Sequence, residues 1–271
     1  MNFTDLLKRL DSQKPGRIAA AGVSSEDKKL LEAWRKRGWT VEYFDGELAE
    51  AITAATDAAM KGNTDLLFCG GTEHLKIVRG LVSALDQAAP QKYDTVSIMQ
   101  AMEVPAYPKL MWVGYTPLAQ YQSIPAAVKS VQTMLKALAD LGEPEARVAL
   151  LSCVELVSPG VSSTIWEGTL GHMSARGQFG KAKVDGPLGF DLAVSPEAVK
   201  DKGVRTDING EADLLIPPDL NSYATLVDAI QLTGEHKSAG IIIGGPVPVA
   251  ISPDHNMKHT ELSMQIASLL R

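Results

Sequence analysis

Four short stretches of the chain bring together residue types able to do chemistry. Cys69-Gly70-Gly71-Thr72 follows an apolar run and precedes a helical pattern. Glycines free the backbone there, and the N–H groups of a helix start can hold an anion. A plain strand–helix turn explains the same residues equally well. Val184-Asp185-Gly186-Pro187-Leu188 carries one carboxylate in an Asp-Gly-Pro core. Asp185 can bond its own turn, and glycine tolerates the backbone that the next proline imposes. The segment reads as a turn shaping a cleft wall or as an acid near a reacting group. Gly244-Gly245-Pro246-Val247-Pro248-Val249 runs on to Ser252, again between a strand and a helix. Asp254-His255-Asn256-Met257-Lys258-His259 places two histidines four apart, the spacing with which helical histidines share a metal. No His-Glu-x-x-His and no third ligand accompany them, so a polar first helical turn is preferred and no metal is expected.

Other chemistries are excluded. There is no G-x-x-x-x-G-K-[ST], no dinucleotide fingerprint and no G-x-S-x-G elbow. His74, His172 and His236 stand alone, which suits packed or solvated roles. The two cysteines, Cys69 and Cys153, have no CxxC spacing and form no disulfide framework. Cys153 sits in an apolar stretch and reads as a small buried hydrophobe. A net charge of −6 with scattered basic residues argues against nucleic acid or anionic lipid as a partner. No signal-peptide pattern and no apolar run near the ~20 residues of a membrane span is visible, so a soluble cytoplasmic chain without a membrane partner is expected.

The elements that must position these residues alternate. With 271 residues, 45% of them hydrophobic, the chain can bury a large core. Apolar runs predict strands at Ile18–Val23, Trp39–Phe44, Asp65–Phe68, Thr95–Met99, Leu110–Val113, Val148–Val154, Asp213–Ile216 and Gly240–Ile243. Most are continuous and not alternating, as in strands covered on both faces. Helical patterns lie between, at Glu26–Arg37, Leu48–Met60, His74–Leu85 and Ala126–Leu141. Ser24-Ser25-Glu26-Asp27 reads as a capping box. Ser195-Pro196-Glu197 and Ser252-Pro253-Asp254 each read as a serine cap with proline in the first turn. This alternation predicts a mainly parallel α/β sheet.

Three blocks resemble, in order and spacing, the phosphotransacylases, the phosphate acetyl- and butyryltransferases that move an acyl group between coenzyme A and phosphate. They are Val184 to Ala193, Gly210-Glu211-Ala212-Asp213-Leu214-Leu215-Ile216, and Gly244 to Val249. The likeness runs from about Asp65 to the C-terminus and is strongest from Lys183 to Val249. It implies a two-domain α/β/α fold with mainly parallel sheets, of the isocitrate/isopropylmalate dehydrogenase-like type. The outer domain would comprise residues 1–122 plus 240–271. An inserted domain, residues 123–239, would carry a homodimer interface, with a cleft between the domains. The ligands implied are acyl-coenzyme A and acyl phosphate, with coenzyme A a substrate and no bound cofactor. The resemblance places Asp185 and Asn256 at catalytic positions. It places Gly70, Gly71, Thr72, Gly186, Pro187, Gly244, Gly245, Ser252 and Asp254 beside the ligand.

The chain departs from the family where charge matters. Cys69 stands where the family usually carries lysine. A Ser-Arg pair with an Asp shortly after becomes Pro253-Asp254 and then Asn256. Arginine would grip phosphate bidentately, and the acid would take the thiol proton. Val113-Gly114-Tyr115 and Tyr223-Ala224 replace a Thr-Asp and a Gly-Asn pair. The expectation is acyl transfer by a remodelled site. The alternative is a non-catalytic relative that binds a small molecule or a protein partner. An isocitrate-type dehydrogenase ranks last, because its Arg and acid clusters are absent.

Overall fold

The computed structural model describes residues 1–89, 92–93, 95–117 and 123–271. In chain order its elements are α1 (Phe3–Leu7), β1 (Arg17–Ala21), α2 (Ser25–Lys36), β2 (Thr40–Phe44), α3 (Leu48–Met60), β3 (Leu66–Cys69), α4 (His74–Ala88), β4 (Ser97–Glu103), β5 (Met111–Tyr115), α5 (Ile124–Asp140), β6 (Arg147–Leu151), α6 (Ser163–Ala175), β7 (Lys183–Leu188), α7 (Phe190–Val194), α8 (Pro196–Lys202), β8 (Leu214–Ile216), α9 (Leu220–Leu232), β9 (Lys237–Ile243), β10 (Val249–Ile251) and α10 (Met257–Leu269). The chain divides into two compact units. A terminal unit comprises Asn2–Gln100 and Lys237–Arg271, and a central unit comprises Met1 and Ala101–His236. The expected first boundary, at residue 122, lies outside the described residues.

In the terminal unit the strand order is β2-β1-β3-β10-β9, followed by the first half of β4, Ser97 to Gln100. Strands β2, β1, β3 and β10 run parallel, and β10 is antiparallel to β9. Ile18–Ala21 and Leu66–Cys69 are buried along their whole length, so the continuous apolar runs lie between helices on both faces. The alanines of β1 let α3 approach closely, while α10 covers β9 and β10. Ser24 and Asp27 form the expected capping box, with bonds of 3.1 and 2.8 Å.

In the central unit the order is β5-β8-β6-β7, all parallel. The acidic block ahead of β8 ties this sheet together. Asp213 accepts the Arg147 N–H at 2.7 Å and pairs with Lys109, and Glu211 pairs with the Arg147 guanidinium. Tyr107 donates its hydroxyl to the Ala212 carbonyl at 2.7 Å. Ser195 caps α8 as expected, and Gly203, at φ +64°, ends it.

Three local expectations are corrected. Ser252 does not start the last helix. That helix begins at Met257 with Asn256 as its cap, because Ser252 continues the buried path of β10. Cys153 is exposed, since β6 already ends at Leu151. The Asp185-Gly186-Pro187 segment is strand β7, not a turn. There Asp185 still accepts the Gly186 N–H at 2.9 Å.

Candidate functional site

The sequence-selected residues fall in three places. The first is in the terminal unit, at the carboxyl ends of β3 and β10. Register pairs Ile251 with Cys69, so Gly70–Thr72 and Ser252–Asn256 leave the sheet side by side. His74 joins the two loops, its Nε2 lying 2.5 Å from the Ser252 carbonyl. Gly70 is needed because a Cβ there would meet the Gly22 carbonyl and the Asp27 carboxylate. Gly71 takes φ +83° with open space around it. Cys69 is fully buried, and burial alone pushes its thiol up to about 12. It is therefore a neutral wall residue.

Asp254, Asn256 and His259 close on one another at the start of α10. Asp254 accepts the Asn256 N–H at 2.8 Å through Oδ1 and meets His259 Nδ1 at 2.6 Å through Oδ2. Asn256 accepts the Lys258 N–H at 3.0 Å, and its Nδ2 lies 3.4 Å from His259 Nε2. Both Asp254 oxygens are thus engaged. His255 lies outside the helix and is exposed, whereas His259 is buried, so the four-residue spacing of the histidines does not set a shared helix face.

The second place is the β9–β10 turn. Val249 pairs with Ile242 and Ile251 with Gly240. Gly244 and Gly245 therefore lie at the opposite end of β10 from Ser252. At Gly244 (φ +85°) a Cβ would strike the backbone of Thr95. The third is β7. Asp185 borders a cavity of about 640 Å³ with Ser174, Arg205, Thr206 and Asn209. Burial raises the Asp185 carboxyl, opposed by hydrogen bonds from Thr206 and Gly186, while the neighbouring Asp207 charge raises it further. Gly186 packs on Leu150 so closely that a Cβ would lie 2.6 Å from its Cβ.

A larger opening was not singled out from the sequence. It is a cavity of about 860 Å³ in the central unit, at the carboxyl ends of β6 and β8 and the first turns of α6 and α9. Its walls are Trp166, Phe190 and Leu226, with the Ser152 and Ser163 hydroxyls between them and Cys153 at the rim. Behind Ser152 and Ser163 sits Glu167, with no exposed surface. Its carboxyl oxygens are buried with the Ser163 and Ser152 hydroxyls as their hydrogen-bonding neighbours. Burial pushes the Glu167 carboxyl up to about 8, eased by the adjacent Ser163 and Ser152. One signal pointed here. Parallel sheets place ligands at strand carboxyl ends, and the loop Ser158 to Ser163 follows such an end.

Comparison with known proteins defines the class. The family described as "Phosphate acetyl/butaryl transferase" matches residues 17–255, and the chain belongs to that family. It is 26% identical over 240 residues to the phosphate acetyltransferase of Thermotoga maritima, covering 89% of this chain and 81% of the relative. It is 24% identical over 265 residues to the phosphate butyryltransferase of Clostridium acetobutylicum, covering 96% and 87%. Among solved structures, a branched-chain phosphotransacylase from Enterococcus faecalis superposes with a TM-score of 0.73 at 23% identity, covering 98% and 94%. A phosphotransacetylase from Streptococcus pyogenes gives 0.77 at 12% identity, covering 99% and 98%. The fold is therefore the expected two-domain α/β architecture. Among the described residues, no helix is long and apolar enough to cross a membrane.

Proposed function

We propose that the chain transfers an acyl group between an acyl-coenzyme A and phosphate or a related acceptor, from a remodelled site. Family membership spanning residues 17–255, which reaches into both units, carries this reading. A phosphate oxygen attacks the thioester carbonyl, the carbon–sulfur bond breaks, and the coenzyme leaves as a thiolate that takes up a proton. Acyl phosphate remains. The loop Gly70–Thr72, the strand residues Asp185–Pro187 and the segment Ser252–Asn256 are the proposed ligand borders, with Gly244 and Gly245 shaping the turn ahead of β10. Coenzyme A is a substrate on this reading. The protein would work in the cytoplasm as a homodimer joined through the central unit.

Charge explains why the site counts as remodelled. Cys69 supplies no cation, and Asp254 is a carboxylate already held by His259 and the Asn256 N–H. Losing a charge-assisted phosphate contact costs about 1.5–3 kcal/mol, or roughly 10- to 100-fold. The closed Asp254–Asn256–His259 set favours one second reading, a relative that binds a small molecule or protein without turnover. Thiol release from acetyl- and butyryl-coenzyme A, with and without phosphate, separates the two. Slow release that requires phosphate is expected. Release absent at every phosphate concentration would favour the binding protein.

A further inference from the structure

The start of α10 holds an imidazole in one defined tautomer. An ionised carboxylate only accepts hydrogen bonds, so the 2.6 Å contact between Asp254 Oδ2 and His259 Nδ1 puts a ring proton on Nδ1. Asn256 fixes the other nitrogen. Its Oδ1 accepts the Lys258 N–H at 3.0 Å, which turns the donor-only Nδ2 toward His259 Nε2, 3.4 Å away. An N–H on Nε2 would meet that amide donor to donor, so Nε2 carries the lone pair. The backbone behind the ring is tied to the sheet. Ser263 Oγ accepts the Gly240 N–H of β9 at 2.8 Å and donates to the His259 carbonyl at 3.0 Å. The cover over Nε2 is light, because Asn256 is exposed and 3.4 Å is long for such a bond.

Resting on the acyl-transfer reading, in which Ser252–Asn256 borders the ligand, we infer that His259 Nε2 accepts the proton of the coenzyme thiol and that Asp254 positions it. A free thiol is mostly protonated at neutral pH, and the thiolate is the nucleophile. When coenzyme A attacks an acyl phosphate, the S–H proton passes to Nε2, a sulfur–carbon bond forms at the acyl carbon, and the bond from that carbon to the phosphate oxygen breaks. In the opposite direction the same nitrogen returns the proton to the departing thiolate. A protonated Nε2 repels the Asn256 donor, so the exposed amide turns aside as the proton arrives. Asp254 then faces an imidazolium, which it stabilises. The neighbours are poorer acceptors. Cys69 is buried and neutral, His74 spends Nε2 on the Ser252 carbonyl, and Asn256 is an amide. A histidine three positions further along α10 thus supplies the base that Asn256 is not.

The test uses the full-length protein with butyryl phosphate and coenzyme A, followed by loss of free thiol. Nitrogen NMR of the wild type at neutral pH should show His259 protonated at Nδ1 and bare at Nε2. Asp254→Asn should mix the two tautomers and lower kcat about 100-fold. His259→Gln should lower kcat about 100-fold or more, with KM for coenzyme A kept within about threefold, because the base acts in the transition state. In His259→Ala, added imidazoles should restore turnover, and the more basic ones should restore more of it. A merely structural role would give rescue indifferent to basicity. Three results each overturn the assignment: an Nε2–H tautomer in the wild type, a folded His259→Gln with wild-type kcat, or rescue indifferent to basicity. Acyl transfer by the wild type alongside any of them would leave the proposed reaction standing without this base. No transfer by the wild type would defeat the reaction itself, and the base with it.

Discussion

Two buried residues, Cys69 and Glu167, show how environment decides what a side chain can do. Cys69 stands where a cation is expected, yet its position in β3 has no exposed face. Cys69→Lys should therefore destabilise the protein and not simply restore a phosphate contact. An unpaired buried charge costs about 3–5 kcal/mol, and a shifted urea midpoint would show it. A variant as stable as the wild type would mean that the β3 end opens to solvent. Glu167 gives a pH-dependent effect. Its carboxyl titrates near 8 when folded against a reference value of 4.5. Between those values the folded chain binds a proton that the unfolded chain does not, so stability falls as pH rises from about 4.5 to 8 and then levels. The slope approaches about 1.4 kcal/mol per pH unit at most. Glu167→Gln should flatten this slope and be the more stable form at pH 8. Urea melts at pH 5 and pH 8 check both points, and identical slopes in the two proteins would contradict the account.

At the level of elements, the alternation of apolar runs and helical patterns made most of the sheet legible. The eight predicted strands all occur, with ends moved by a few residues. Strands β7 and β10 were not legible, for a local reason. Gly186 and Pro187 argue against a strand, because proline removes a ladder donor and glycine packs nothing. Here β7 pairs only with β6, at the end of the strand order. Glycine is required there by close contact with Leu150. Strand β10 is three residues long and follows two prolines, too short to show periodicity. The acidic block Gly210–Asp213 was legible as a motif. Its role in tying Arg147, Lys109 and Tyr107 into the central sheet was not, because its partners are about 60 to 105 positions away. Glu167 was illegible for a similar reason. Nothing in its neighbours' types shows that one helix position faces the interior. The start of α10 offers a direct check on the observed cap. Asn256→Ala should cost about 1 kcal/mol by orphaning the Lys258 N–H, whereas Asn256→Asp should be nearly neutral for stability. Equal losses in thermal melts would show that the amide, and not a capping oxygen, is what matters.

For the whole molecule, the distribution of exposed apolar side chains bears on assembly. Among the described residues Ile124, Leu156, Val157, Ile165, Phe190 and Leu232 are exposed in the central unit, against Leu75 alone in the terminal unit. A two-fold interface would cover part of such a surface with the same patch of a second copy. Sedimentation should give a dimer at micromolar concentration, and Val157→Glu with Ile165→Glu should shift it to monomer. A wild-type monomer would contradict the proposed assembly. The central claim is chemical, however, and product detection tests it most directly. Phosphorus NMR of the wild-type protein with butyryl-coenzyme A and inorganic phosphate should show butyryl phosphate appearing as free thiol accumulates, at a rate lowered by the missing cations. Free thiol without acyl phosphate, or neither product at high enzyme concentration, would contradict acyl transfer to phosphate.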